Sequence, residues 1–581
     1  MGLLLGTLKE KQDPKWHPLP NYHLKALKGW LNDPCAPGYD VKRGTYHLFY
    51  QWNPKSCEWG DICWGQFMSN DGLTWEHNGS GPALERSLPY DHLGIFTGCM
   101  HPTGPHGEPG QLTVFYSSVK HLPIHWTLPY ERNCAGLAMA TSVDGGHTWL
   151  KSPLNPILEG EPEGLVVTGF RDPYLSQWPE MASTLGEDGN KLYGVVSGGI
   201  VGKGPNAFLY SVSPNDLATW AYIGTLTDIP IGFTRPTHWT GDFGLNWECV
   251  NFMSIGDEKD RVQVLTFCSE GGFGKDYVKG QDGENGAWTL WMAGSLQKGD
   301  SGVTLKHEFS GFLDHGNLYA PNSYKHPISG ERIVWGWIKE DELPLPRRES
   351  KGWAGYLSIP REVFLLRRSQ VIRTIKTPLR EMPSLNVYRE PNGTNTVQTL
   401  GIRPLPSIKA LRKSKPIFWT LPLGTKNGDS NFLRAVKTTS WEIEAVVSVG
   451  AGLKKVGFHI KHNNDHSHGT TVIFSAEDEK ITVDRSRSND QDDIPKKAVD
   501  GPFTLFVLSE HELEVIEELH MRLFCDGDVL EVFANDRFAL STVVYSDTQS
   551  CCGISSFVEK AGCDDATYFR SISLWEELGG P

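Results

Sequence analysis

The chain has 581 residues, with 55 basic and 69 acidic side chains and a formal net charge of −14. At ~100–200 residues per domain, that length implies two to four domains. No block of five or more Lys and Arg occurs, which argues against a nucleic-acid partner, and an acidic surface matches anionic lipid poorly. The charge fits a soluble protein handling a neutral or cationic ligand.

Gly 62 and Pro 37 supply the many turns that an all-β fold requires. Trp 20, with Tyr 18 and Phe 25, is an aromatic excess. Most of it belongs to sheet packing, but flat aromatic faces also suit the C–H faces of sugars. The 11 Cys are an odd number with no C-x-x-C pair. That argues against a metal cluster or a disulfide scaffold and suggests a reducing compartment.

At the N-terminus, Leu3–Leu5 is too short for a signal peptide and lacks a basic flank. No apolar run approaches ~18 residues, so no membrane span is expected. Both readings point to a cytoplasmic location. Short β-like runs follow at Tyr46–Gln51, Leu112–Ser117, Leu192–Ser197, Val262–Phe267 and Ile333–Ile338, separated by turn residues. Ser69-Asn-Asp-Gly-Leu-Thr-Trp75 recurs as Ser142-Val-Asp-Gly-Gly-His-Thr-Trp149 and, more loosely, as Ser213-Pro-Asn-Asp-Leu-Ala-Thr-Trp220. These Trp residues are 74 and 71 positions apart, a period that reads as propeller blades. Residues 16–370 then hold about five blades. Asp and Ser are expected to cap a tight hairpin over each buried Trp.

Residues 371–435 carry many Pro, Lys and Arg and read as a linker. From Trp441 alternation returns, with runs at Gly457–Lys461, Thr471–Ser475, Leu523–Phe533 and Ser541–Tyr545. A β-sandwich over residues 436–581 is expected. Glu510–His520 reads as either a loop or a short helix.

Three acids stand in unusual company: Asp33 in Trp30-Leu-Asn-Asp-Pro34, Asp172 in Gly169-Phe-Arg-Asp-Pro173 and Glu248 in Asn246-Trp-Glu-Cys-Val250. Pro after Asp holds the first two in extended backbone. An ordinary turn is the competing reading. The spacings of 139 and 76 residues are about two blades and one blade. Equivalent innermost positions would bring these carboxylates together on one axis. Converging carboxylates suit glycosidic cleavage, which needs a proton donor and an anion facing an oxocarbenium-like centre. Arg171 would help keep one of them ionised. His121-x-x-x-His125 has zinc-like spacing, but Pro123 forbids the helix. His462, Asp465, His466 and His468 read as a solvated turn. Glu270-Gly-Gly-Phe-Gly-Lys275 lacks Walker spacing and reads as a Gly turn.

Trp30-Leu-Asn-Asp-Pro34, Phe49-Tyr-Gln-Trp-Asn-Pro54 and Glu58-Trp-Gly-Asp-Ile-Cys-Trp-Gly65 together resemble glycoside hydrolase family 32. Phe96-Thr-Gly98, Phe170-Arg-Asp-Pro173, Glu248-Cys249, Leu318-Tyr-Ala-Pro321, Val334-Trp-Gly-Trp337 and Glu531-Val-Phe-Ala-Asn-Asp536 extend the match over nearly the whole chain. The resemblance implies an all-β, five-bladed β-propeller followed by a β-sandwich. It implies a retaining β-fructofuranosidase acting on sucrose and short fructans without metal or organic cofactor. Asp33 would be the nucleophile, Glu248 the acid/base and Asp172 the transition-state stabiliser. Asn32, Gln51, Trp59, Thr97, Arg171, Tyr319 and Trp335 would line the fructose subsite. The sequence departs from the pattern at Cys35-Ala36, Gln66 and Val250, which bears on the choice between water and sugar as acceptor. A dominant fructosyltransferase and a non-catalytic sugar-binding propeller are the rival readings. A sialidase would need an Arg cluster that is not found.

Overall fold

Runs of β-branched and aromatic residues between Gly and Asp turns fold as strands throughout the computed structural model. The described residues are 18–234, 237–272, 287–299, 302–419, 423, 427–428, 430–546, 551–562 and 565–579. Leu3–Leu5, residues 273–275 of the Gly-rich turn and Cys563 lie outside them.

Five sheets follow one another from residue 29 onward, each built outward from one inner strand. The inner strands are Gly29–Asp40, Gly94–Thr103, Val167–Gln177, Asn246–Ile255 and Leu318–Lys325. Each touches the next, and the fifth touches the first, so they close a ring. Trp353–Ala354 returns to pair in parallel with Gly29 and Trp30 at the start of the first sheet. The inner strands are buried almost throughout because neighbouring sheets cover both faces.

The repeated turns have one construction. Asp71 Oδ1 accepts from the Leu73 and Thr74 amides, and Asp144 Oδ1 from those of His147 and Thr148. Trp75, Trp149 and Trp220 each donate the indole N–H to the carbonyl three residues back: Gly72, Gly146 and Leu217. The side chain caps the turn while the ring packs beneath it, as the repeat predicts.

Residues 371–435 do not run as a linker. The strand Arg361–Thr374 leaves the fifth sheet and pairs with Asn395–Pro404, which pairs with Asn386–Arg389. Ile417–Trp419 and Ser430–Ala435 are edge strands of the last two sheets. The prolines stand at the ends of these elements: Pro378 precedes one short 3-10 turn and Pro406 opens another. Thr396, Gln398 and Thr399 are buried between paired strands, so the segment lacks the apolar run that signals a strand.

Glu510–His520 is neither loop nor helix. Phe506–Glu510 and Leu513–Ile516 form a hairpin, and Leu519 opens the next strand. His511 and Glu512 make the turn with φ of 51° and 67°. Asn-Gly normally marks such a turn, and its absence hid the hairpin.

Two six-stranded sheets complete the chain as a β-sandwich. A buried charge cluster ties it to the preceding sheets. Asp526 accepts from the amides of Asn21, Tyr22 and His23, while His23 bridges Asp526 at 3.1 Å and Glu531 at 2.9 Å. Glu531 and Asp314 hold Arg361 from the opposite side. Among the described residues, no helix is long and apolar enough to cross a membrane.

Candidate active site

Each inner strand carries a bulge at the same level. Three steps along it face two on its neighbour: Leu31–Pro34 against Trp52–Tyr50, Ile95–Gly98 against Ser118–Tyr116 and Arg171–Tyr174 against Ser197–Val195. Glu248–Asn251 against Cys268–Thr266 and Tyr319–Asn322 against Trp337–Trp335 complete the set. A bulge bends its strand and re-aims the side chains there. Asp172, Cys249 and Ala320 take the same step in the left-handed region, with φ of 62°, 52° and 51°, so Asp172 is not extended as Pro173 leads one to expect: the bulge overrides the local preference.

This register decides who meets whom. Arg171, Glu248 and Tyr319 share one bulge position, Asp172 and Cys249 the next, Asp33 and Thr97 the third. Equivalent positions on successive inner strands lie side by side, and four hydrogen-bonded contacts join equivalents: Thr97 with Asp33, Cys249 with Asp172, Arg171 with Glu248 and Tyr319 with Glu248. Thr97 donates a short hydrogen bond to Asp33 Oδ2. The Cys249 amide donates to Asp172 Oδ2 at 3.1 Å. Arg171 Nε and Nη2 donate to Glu248 Oε1 at 3.1 and 2.8 Å, and the Tyr319 hydroxyl donates to Oε2 at 2.6 Å.

Asp33 is held asymmetrically. Oδ2 accepts from Thr97, from Gln51 Nε2 at 3.2 Å and from the Cys249 thiol at 3.6 Å. Oδ1 accepts from Asn32 Nδ2 at 3.1 Å. Burial pushes the Asp33 carboxyl up to about 6; Thr97 opposes this and the charge of Glu248 adds to it. Burial also raises Asp172 well above the usual carboxylate range, against Arg171 and with Glu248 and Asp33.

Most of the residues expected in the site converge. Trp30 donates to Asn32, Asn32 to Gln51, and Gln51 to Thr97. Trp59 is half-exposed and meets Phe96 edge-on at 5.7 Å. Trp335 does not join them. It lies deeper on its strand and packs edge-on against Trp75 at 5.5 Å, in the core between the first and fifth sheets. Two residues on, Trp337 packs against Trp30 at 5.5 Å.

The sequence departures are packing changes. Cys35, Ala36 and Val250 are fully buried in apolar clusters. Gln66 bonds Trp149 and Asn78 between the first two sheets. None adds an apolar wall to the site.

Glu270, which reads in the sequence only as the start of a Gly turn, is the last residue of the strand Val262–Glu270 and belongs to the site. It sits opposite Asn246 in the ladder and accepts from Asn246 Nδ2 at 2.7 Å and Arg171 Nη2 at 2.6 Å. Burial and the charge of Glu248 raise it to about 7, against Arg171 and Asn246. The signal available was a Glu closing an apolar strand before Gly-Gly. Trp126 stands next to it: a Cβ on Gly271 would meet that ring at 3.0 Å.

Asp172, Glu248 and Glu270 thus surround one guanidinium, with Asp33 on the first inner strand and aromatic rings at the rim. The family model for the glycosyl hydrolases family 32 N-terminal domain matches residues 23–375, and that for the family 32 C terminal matches residues 407–576. A fructan 1-exohydrolase of Aegilops tauschii is 26% identical over 550 residues, 90% of this chain and 82% of that protein. An insoluble beta-fructofuranosidase isoenzyme of Arabidopsis thaliana is 27% identical over 391 residues, 66% of this chain and 60% of its own length. The solved Aspergillus kawachii beta-fructofuranosidase superposes with a TM-score of 0.84 at 28% identity, covering 97% of this chain and 95% of that one. A fructosyltransferase from A. japonicus shares the fold, with a TM-score of 0.85 at 23% identity over 97% and 96% of the two chains. The site and both halves of the chain therefore say the same thing: this protein is a member of glycosyl hydrolases family 32.

Proposed function

We propose that the protein is a retaining β-fructofuranosidase that cleaves the fructosyl bond of sucrose and short fructooligosaccharides. The observation that carries this reading is the pairing of a nucleophile and an acid on bulged strands of one ring. Asp33 Oδ1, with a single hydrogen bond, is free to attack the fructosyl anomeric carbon while Oδ2 stays anchored. As that C–O bond breaks, Glu248 gives its proton to the departing glucosyl oxygen. The product is a fructosyl ester on Asp33. Glu248 then takes a proton from the incoming hydroxyl, which attacks the same carbon and frees Asp33. Asp172 faces the fructosyl hydroxyls. The closed ring of five inner strands supports a five-bladed propeller. Ten cysteines among the described residues are reduced thiols and all but Cys552 are buried, which is in line with a reducing, cytoplasmic location.

Transfer to sugar acceptors at high sucrose is part of the proposal. Support comes from the 121–133 loop, not from the departures at Cys35 and Val250. Ile124 packs on the cluster that contains Phe96, Trp126 stands against Gly271, and the Tyr130 hydroxyl reaches the Phe170 carbonyl at 3.5 Å. The loop therefore spans the second to fourth sheets beside Glu270. A sugar gains from stacking on such a wall, and water does not.

Incubation with sucrose tests both parts, with glucose, fructose and oligosaccharides quantified together. Glucose in excess of free fructose, with a trisaccharide appearing at high sucrose, is expected. Equal release at every concentration removes the transfer step, and no release removes the proposed substrate.

A further inference from the structure

Arg171 serves two acids with one nitrogen. Nη2 lies 2.8 Å from Glu248 Oε1 and 2.6 Å from Glu270 Oε2. Nε adds a second contact to Glu248 Oε1 at 3.1 Å, and Tyr319 holds Oε2. All three donors to Glu248 bond most strongly to an anion. An acid catalyst needs the opposite, since it must carry a proton when substrate arrives. Some group has to draw the guanidinium charge away.

Glu270 is placed to do so. Its Oε2 also accepts from Asn246, which is fully buried and is itself bonded by the Thr168 hydroxyl at 2.9 Å. That chain fixes the carboxylate against Arg171. Resting on the reading of Glu248 as the acid/base, we infer that Glu270 is a positioning residue that sets, through Arg171, the pH at which the site loses its catalytic proton. While Glu270 is ionised it neutralises part of Arg171 and repels the Glu248 anion. When it is neutral, Arg171 belongs to Glu248.

The surrounding charges are accounted for. Glu248 is faced by Arg171 and Asp172 from the third sheet, Tyr319 from the fifth, Asp33 from the first, and Cys268 and Glu270 from its own. Arg171 also feels Asp172. Lys339 stands 5.0 Å over the Tyr319 ring. Of these, Glu270 alone shares a guanidinium nitrogen with Glu248 by hydrogen bond. Burial and the charge of Glu248 raise Glu270 itself to about 7.

The test is the pH profile of kcat/KM for sucrose in the parent and in Glu270→Gln. The amide keeps an acceptor for Asn246 and Arg171 but loses the charge. The alkaline limb should move to lower pH by ~0.5–1 unit. A limb within ~0.2 unit of the parent's overturns the inference, even if kcat falls, because a structural role lowers rate without moving the limb. Infrared titration of the carboxyl groups, with no substrate present, keeps the two readings apart. By reciprocity of coupling, Glu248→Gln should lower the pH at which Glu270 ionises. An unmoved Glu270 titration overturns the inference whatever the substrate. A parent inactive on sucrose, with that coupling intact, overturns only the substrate assignment.

Discussion

The Cys249 thiol lies 3.6 Å from Asp33 Oδ2, although 216 positions separate the two residues. The residue after the proposed acid thus touches the proposed nucleophile. The contact exists because the first and fourth inner strands bulge at the same level and face each other across the ring.

Asp33→Asn should lower sucrose cleavage by ~10³-fold or more, since the amide cannot form the fructosyl ester. Glu248→Gln should cost ~10²–10⁴-fold through loss of proton transfer. Asp33→Asn should not lower Tm, because it removes one of several crowded like charges. Thermal melts alongside rates check this. A large drop in Tm with Asp33→Asn would mean that the carboxylate is structural.

Asp33 must be ionised to attack, and its value is raised to about 6 in the empty site. Activity measured as kcat/KM should therefore rise with pH through about 6. Thr97 favours the ionised form, so Thr97→Val should move this acid limb to higher pH. A limb that stays put or moves down would contradict the role given to the Thr97 hydroxyl.

Trp126→Ala should reduce the ratio of trisaccharide to free fructose at high sucrose by several-fold, with total glucose release falling less. Acceptor stacking is worth ~1 kcal/mol, which sets that size. Product analysis at one high sucrose concentration is sufficient. An unchanged ratio would take the 121–133 loop out of the acceptor wall.

The buried cluster at His23 predicts a stability window. Burial alone would lower His23, but its bonds to Asp526 and Glu531 outweigh this and raise it from 6.5 to about 9. That contribution is complete below about 6.5 and is lost as pH rises through about 9. Burial would raise Glu531, yet Arg361 and His23 lower it from 4.5 to about 2, so its contribution fades as pH falls through that range. Tm should be highest between these limits. His23→Ala should cost ~3–5 kcal/mol, because it removes the cation shared by two buried carboxylates. It should also flatten the decline above pH 6.5. Parallel Tm curves for parent and variant over that range would refute the linkage.

The local sequence by itself determined most of the strands outside residues 371–435 and 506–516, the Asp-capped turns, the period and the identity of Asp33, Asp172 and Glu248 as unusual acids. These depend on nearest neighbours: alternation, a carboxylate two or three residues from an amide, a Pro after an Asp. Tertiary structure alone decided the rest. The bulge register pairs Glu248 with Arg171 and Tyr319, and Asp33 with Thr97, a matter of stagger between strands far apart in the chain. Trp335 and Trp337 are alike in sequence, and only depth along the strand sends one to the core and the other to Trp30. Glu270 gains its meaning from a guanidinium 99 positions away. The polar strand Asn395–Pro404 is buried because it lies between paired strands, an environment that no local pattern encodes.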